Sequence, residues 1–165
     1  MTYVTYEKYN PAFEYIIANK PMHIVEYGGG KSTMFINRLL EQLNYGGKVT
    51  AYEDNSKFYN YSNEKGWNTN NSIKLVNSEY ISQEHGIVRY IHPIEDIQDV
   101  DFFIVDGPDY RLFTSESGNQ PGTTDNLHLV MTRLNRIIPF WIEGRTGTQN
   151  FMKNLNYNMI TDYEV

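Results

Sequence analysis

Cysteine is absent from the 165 residues, which excludes disulfide frameworks, thiolate zinc sites, iron–sulfur clusters and cysteine nucleophiles. Any metal must therefore sit on oxygen or nitrogen ligands. Positive charge is scarce as well: 14 Lys and Arg stand against 20 Asp and Glu, a formal charge of −6. That balance disfavours a domain that holds nucleic acid by neutralising phosphates, and equally one that docks on anionic membranes. Long apolar runs are also missing, and the first twenty residues (MTYVTYEKYNPAFEYIIANK) contain acids, unlike a secretory signal or a membrane anchor. The expectation is a soluble, cytoplasmic chain with no nucleic-acid or membrane partner. Alanine is sparse while Tyr, Asn and Ile abound, a bias that suits an AT-rich genome such as a virus's. What is present, 40% hydrophobic and 15% aromatic residues, suffices for the core of one domain spanning 1–165.

Asn10-Pro11 reads as a helix cap followed by a proline suited to a first turn, and Phe13, Ile16 and Ile17 recur at helical spacing. A short helix is predicted over 11–19, stopped by Lys20-Pro21. Residues 23–27 (HIVEY) form a short apolar run with a β-branched centre that ends at three glycines, the pattern of a buried strand. Phe35, Ile36, Leu39, Leu40 and Leu43 then repeat at three and four, giving an amphipathic helix that ends at 44–47. Strand, glycine turn and helix open a βαβ unit. Residues 48–52 (KVTAY) read as a strand closing at Glu53-Asp54, 56–65 as a helix and 73–76 as a third strand. Within 78–99, residues 87–91 (IVRYI) are a candidate extra strand, and His92-Pro93 argues against a helix. Residues 102–105 (FFIV), bounded by Asp101 and by Asp106-Gly107-Pro108, are the central strand, expected beside 23–27. The Ser-, Gly-, Asn- and Pro-rich stretch 114–124 reads as a functional surface loop, placed to serve as a substrate lid. A helix over 127–136, a strand over 137–142 with Pro139 inside it, a helix over 146–155 and an extended segment 157–165 complete the chain. This alternation implies an open α/β sheet covered on both faces.

The most informative stretch is 26–33 (EYGGGKST), where a strand gives way to a helix. Glycine there lets backbone amides approach a ligand, and the helix amino end adds positive potential, so the turn suits a carboxylate or phosphate. Gly30-Lys31-Ser32 mimics the end of a P-loop, but that pattern needs glycine at position 25, where this chain has Val25. A dinucleotide fingerprint is met only in part: Gly28 and Gly30 fit, and its third glycine falls on Thr33. Glu53, roughly twenty residues on at the end of the second strand, is placed to hold both hydroxyls of an adenosine ribose. Loop and acid together point to an adenosine-containing ligand. The plainer alternative is that the glycines serve a tight turn and Glu53 is a solvated strand end.

Glu26-Tyr27-Gly28-Gly29-Gly30 followed by Glu53 resembles the first two motifs of class I S-adenosylmethionine-dependent methyltransferases. The resemblance implies an open, mostly parallel Rossmann-like sheet of about six or seven strands with helices on both faces. It implies S-adenosylmethionine as cofactor, with Gly28, Gly29 and Gly30 cradling its amino-acid end and Glu53, with Asp54 beside it, at the ribose. Glu26, Tyr27, Ser32 and Thr33 would complete the cofactor site, Ser32-Thr33 being a common variant of the helix start, and residues 1–20 would lie over it. Downstream, 101–110 (DFFIVDGPDY), a loop with Pro121-Gly122 and a helix resemble small polysaccharide O-methyltransferases, whose fourth strand ends in a similar turn. A sugar or glycan hydroxyl is the acceptor this implies. After the fifth strand that family adds a helix and an antiparallel pair, whereas here only 157–165 remains.

Methyl transfer to a hydroxyl needs in-line alignment and help in removing a proton. Asp106 is the first candidate for that base and Asp109 the second; Asp106 could equally cap the turn at Gly107-Pro108. Glu143-Gly144-Arg145 ends the neighbouring strand and would face the same cleft, so Tyr110, Arg111, Glu143 and Arg145 are candidate acceptor contacts. Asp106, Asp109 and Glu143 could alternatively hold a hard divalent cation. His92 has no spaced partner that would define a metal pair. Tyr3, Tyr6 and Tyr9 could close over the cofactor, stack on a sugar or simply dock their segment on the core. Two alternatives remain: aminopropyl transfer on the same fold, or a non-catalytic cofactor-binding module.

Overall fold

Two central strands, β1 (His23–Tyr27) and β6 (Phe102–Val105), are buried at every position, as strands covered on both faces are, and β1 takes His23 and Glu26 into the interior with its apolar residues. A computed structural model describes residues 3–82, 86–108 and 123–160. Around the central pair lie β2 (Lys48–Glu53), β3 (Ile73–Leu75) and β8 (Phe140–Ile142), in the order β3-β2-β1-β6-β8, with every neighbouring pair parallel. Counted along the chain this is 3-2-1-4-5, the Rossmann order, whose direction reverses between β1 and β6. Ligands of open α/β sheets collect at the carboxyl ends of the strands flanking that reversal.

Alternation along the strands divides the core in two. Ile24, Val49, Phe102 and Ile104 pack against α1 (Asn10–Asn19) and α2 (Lys31–Leu43) through Phe13, Ile16, Ile36 and Leu39. Val25, Tyr27, Phe103 and Val105 face the opposite way, onto α4 (Asn126–Leu134) and α5 (Thr146–Asn154) through Leu127, Val130, Met131 and Met152. The expected α/β architecture with helices on both faces is therefore present. Tyr9, not Asn10, occupies the cap position of α1; Asn10 is already helical and Pro11 lies in the first turn. Asn55 caps α3 (Ser56–Glu64), its side chain accepting from the Lys57 and Phe58 amides.

The strand count differs from the expected six or seven in one sheet. Among the described residues five strands make the parallel sheet, and β4 (Asn77–Ser82), β5 (Ile87–Ile91) and β7 (Thr123–Thr124) make a separate one. Residues 87–91 are the extra strand suspected from sequence, paired antiparallel with β4 and parallel with β7. Residues 157–160 do not add a strand. The Ile160 amide donates to the Phe140 carbonyl at 3.0 Å, and Met159 Sδ accepts from the Ile142 amide at 3.2 Å, so this segment caps the β8 edge. Most of the loop expected at 114–124 lies outside the described residues. No helix among the described residues is long and apolar enough to cross a membrane.

Candidate functional site

The turn after β1 is held by its backbone. Gly28 and Gly29 donate to the Tyr52 carbonyl at 2.8 and 3.2 Å, while Asp106 and Gly107 donate to the Tyr27 carbonyl at 2.8 and 2.9 Å. The carboxyl ends of β2, β1 and β6 are thus stitched together where the sheet order reverses. Gly28 has φ +95°, and a Cβ on it would lie 2.5 Å from the Gly107 nitrogen. A Cβ on Gly29 would meet Ala51 and Ile73 at 2.9 Å, and one on Gly30 the Phe58 ring at 2.8 Å. Each glycine lets a different element approach: β6, the β2–β3 pair, and α3.

Glu26 and Tyr27 reach inward. Glu26 is fully buried; Ser32 Oγ donates to its Oε1 and Thr33 Oγ1 to its Oε2, both at 2.5 Å. Thr33 Oγ1 also accepts from the Gly30 amide at 3.0 Å, so Glu26, Thr33 and Gly30 form one brace between strand and helix. Burial pushes the Glu26 carboxyl up to about 7; the Ser32 and Thr33 hydrogen bonds oppose that rise and the Asp106 charge adds to it. The Tyr27 ring lies on the opposite face of the sheet, its hydroxyl 3.0 Å from His92 Nε2. Of Tyr27, the carbonyl is what serves the turn.

Glu53 ends β2, nearly buried, and its Oε1 accepts from the Asn55 amide at 2.8 Å. Asp54 follows it, half-buried. Across the reversal, Asp106 ends β6 with its side chain 31% exposed. The Tyr9 hydroxyl donates to Asp106 Oδ2 at 2.7 Å, and Arg145 Nη2 lies 3.2 Å from Oδ1. Arg145 also forks onto the Asp106 carbonyl, through Nε at 2.6 Å and through Nη2. Burial raises the Asp106 carboxyl to about 6; Tyr9 and Arg145 pull it down and Glu143 pushes it up. Arg145, an expected acceptor contact, is therefore already engaged with Asp106. Asp109, Tyr110 and Arg111 lie outside the described residues.

Two further residues enter the site: Tyr9, one of three tyrosines expected over the cofactor, on a sugar or against the core, and Tyr90, which carries no local signal in the sequence. Tyr9 is fully buried and spans Glu26 and Asp106, with its hydroxyl 3.4 Å from Glu26 Oε1. Tyr90, from β5, sets its hydroxyl against Gly107 so closely that no Cβ could stand there. Burial raises the Tyr90 phenol, and the charges of Asp54, Glu53 and Asp106 add to the rise. The acids at the ends of β2 and β6 thus act on that one hydroxyl, offset in part by Arg145, and Glu143 acts on Asp106. A gathering of carboxylates of this kind is electrostatically suited to a positively charged group and hostile to a polyphosphate. Among the described residues no cluster of three or more His, Asp or Glu is arranged for a metal ion. Of the expected Asp106, Asp109 and Glu143 set, Asp109 lies outside the described residues, and Asp106 is paired with the Arg145 guanidinium.

The chain is a Rossmann-like α/β protein with acids gathered at the carboxyl ends of β2, β6 and β8, around its topological switch point. No protein-family model matches it and no curated protein does. Among solved structures, a protein described as a caffeoyl-CoA O-methyltransferase from Staphylococcus aureus is similar over 95% of this chain and 78% of its own, with 14% identity and a TM-score of 0.46. The S-adenosylhomocysteine-bound methyltransferase PaMTH1 of Podospora anserina is similar over 92% and 69%, with 14% identity and a TM-score of 0.41.

Proposed function

We propose that the chain is an S-adenosylmethionine-dependent O-methyltransferase, and that Asp106 is the base for the acceptor hydroxyl. The observation that carries this reading is the joining of a glycine turn and four acids at the switch point: Glu53 and Asp54 on one side, Asp106 and Glu143 on the other. An adenosine polyphosphate would find repulsion there, whereas an adenosine ligand with a cationic centre would be drawn in. When bound, S-adenosylmethionine supplies an electrophilic methyl group on a positively charged sulfur.

The roles of the chain's own residues follow from their places. Glu53, at the end of β2, would accept from the ribose hydroxyls, and the sequence resemblance sets the Gly28 to Gly30 turn at the amino-acid end. The Asp106 carboxylate, partly open to solvent, would accept the proton of the acceptor hydroxyl. A base with a pKa near 6 is ionised at neutral pH yet still basic enough to help, and such assistance is typically worth about 10²–10⁴ in rate. Arg145 keeps the Asp106 backbone and carboxylate in place. A small-molecule acceptor fits this arrangement; the choice of a sugar or glycan hydroxyl rests on the sequence resemblance of 101–110.

These acids also suit a polyamine, which favours aminopropyl transfer as the second reading. One assay separates the two. The protein is incubated with S-adenosylmethionine or its decarboxylated form against a panel of uronate-bearing oligosaccharides, catechols and polyamines, and thioether product release is followed. Methyl transfer to a hydroxyl acceptor, lost in Asp106→Asn while S-adenosylhomocysteine binding is retained, supports the proposal. Turnover of the decarboxylated form with a polyamine would replace it. An Asp106→Asn variant with full methyl-transfer activity would remove Asp106 from the mechanism.

A further inference from the structure

We propose that Tyr9 is a positioning residue for Asp106: its hydroxyl, carried in by the N-terminal segment, holds the carboxylate in the orientation that faces the transferred group. The inference rests on the methyltransferase reading above. Asp106 Oδ2 receives the Tyr9 hydroxyl at 2.7 Å, and Oδ1 has Arg145 Nη2 at 3.2 Å. The two oxygens are therefore held by different elements, one before α1 and one between β8 and α5. Without them a side chain that is 31% exposed would rotate about its terminal torsion, which is soft for aspartate.

Tyr9 can do this because it cannot itself move. It is fully buried, with its ring 5.0 Å from Trp141, 5.2 Å from Tyr6 and edge-on to Phe13 at 6.4 Å. A phenol has one proton to give, and the shorter contact takes it. Glu26 Oε1, at 3.4 Å on the other side, is itself fixed by Ser32. Packing alone would be served equally well by phenylalanine. A hydroxyl buried at this junction is instead matched to the carboxylate it meets, 97 residues away in sequence.

The test uses two probes that need no known acceptor. Sinefungin carries an amine-bearing carbon where the cofactor has its sulfur and methyl, and S-adenosylhomocysteine lacks the methyl altogether. Their ratio of dissociation constants therefore reports on whatever faces the transferred group. Tyr9→Phe keeps the ring contacts and is expected to lose about tenfold in sinefungin affinity, the scale of one hydrogen bond to a charged group. S-adenosylhomocysteine affinity should change by less than about twofold, and Tyr9→Phe should cost nothing further in an Asp106→Asn background. A tyrosine with a purely structural role would weaken both ligands together or neither, and either result overturns the proposal. Wild-type protein that binds both ligands without preferring sinefungin overturns it too, while leaving the cofactor reading standing. Failure of the wild type to bind either ligand sinks both. Should Tyr9→Phe not fold, the hydroxyl proton of Tyr9 in the wild type supplies the answer by nuclear magnetic resonance. Its resonance should be slowly exchanging, absent in Asp106→Asn, and displaced by sinefungin more than by S-adenosylhomocysteine; a resonance unmoved by sinefungin overturns the proposal.

Discussion

Replacing Gly28 by alanine should be among the most damaging single-methyl additions in the molecule. At φ +95° an L side chain is strained, a cost of about 1–2 kcal/mol. The new Cβ would also lie 2.5 Å from the Gly107 nitrogen, 2.8 Å from the Asp106 carbonyl carbon and 2.9 Å from the Gly107 Cα. All three are main-chain atoms, and the Asp106 and Gly107 amides are tied to the Tyr27 carbonyl, so no side chain can swing aside. Overpacking of this kind adds about 1–3 kcal/mol, for a total of roughly 2–5 kcal/mol against an ordinary domain stability of about 5–15 kcal/mol. Gly46 provides the control: it has φ +88°, but its Cβ would meet only the end of Met22, at 3.9 Å. Gly46→Ala should therefore show the conformational term alone. Urea denaturation of both variants separates the two contributions. A Gly28→Ala cost no larger than that of Gly46→Ala would refute the claim that β1 and β6 meet at this turn.

Methyl-transfer turnover should fall on the acid side with a midpoint near pH 6, because Asp106, raised to about 6, must be ionised to accept a proton; a pH–rate profile checks this. Glu26 has a different signature, since its carboxyl rises from 4.5 to about 7 on folding. A folded-state pKa above the unfolded one gives stability that is fully present below 4.5 and is lost as pH rises through 7, worth roughly 3 kcal/mol over that window. Glu26→Gln should flatten this dependence, and wild-type and variant denaturation curves at pH 5 and pH 8 that stay parallel would contradict it. Asn126 is buried and clasps Tyr90, accepting from its amide at 2.8 Å and donating to its carbonyl at 2.9 Å. Asn126→Ala leaves both groups without that partner and should cost about 2–4 kcal/mol in chemical denaturation; less than about 1 kcal/mol would mean that the clasp is dispensable.

The parallel sheet was legible because its strands advertise themselves. FFIV is an uninterrupted apolar run and HIVEY has an apolar, β-branched centre, each closed by a glycine turn, and a strand end locates whatever acid follows it, as with Glu53 and Asp106. Of the second sheet only β5 was legible, and β4 and β7 were hidden for the opposite reason. Strand β4 is NSEYIS, mostly exposed, with Tyr80 and Ile81 adjacent rather than alternating, and β7 is two threonines long. Neither pattern separates a strand from a loop. The three glycines were legible as a special turn, but the approach each permits, to Gly107, Ala51 and Phe58, is a matter of tertiary packing. Arg145 was legible as a neighbour of Asp106 at the strands' carboxyl ends, but its contact with that carboxylate, and the contact of Tyr9, join residues 39 and 97 apart and arise only once the sheet has formed.

Whether the switch point holds S-adenosylmethionine is decided by calorimetric titration of the purified protein with S-adenosylmethionine, S-adenosylhomocysteine, NAD and ATP, repeated on Glu53→Ala. Saturable binding of the two sulfur ligands is expected, lost or at least tenfold weaker in the variant as befits a hydrogen bond to a charged group, with none of NAD or ATP. Absence of binding by either sulfur ligand, or binding of NAD or ATP in their place, would contradict it and leave the glycine loop as a structural turn.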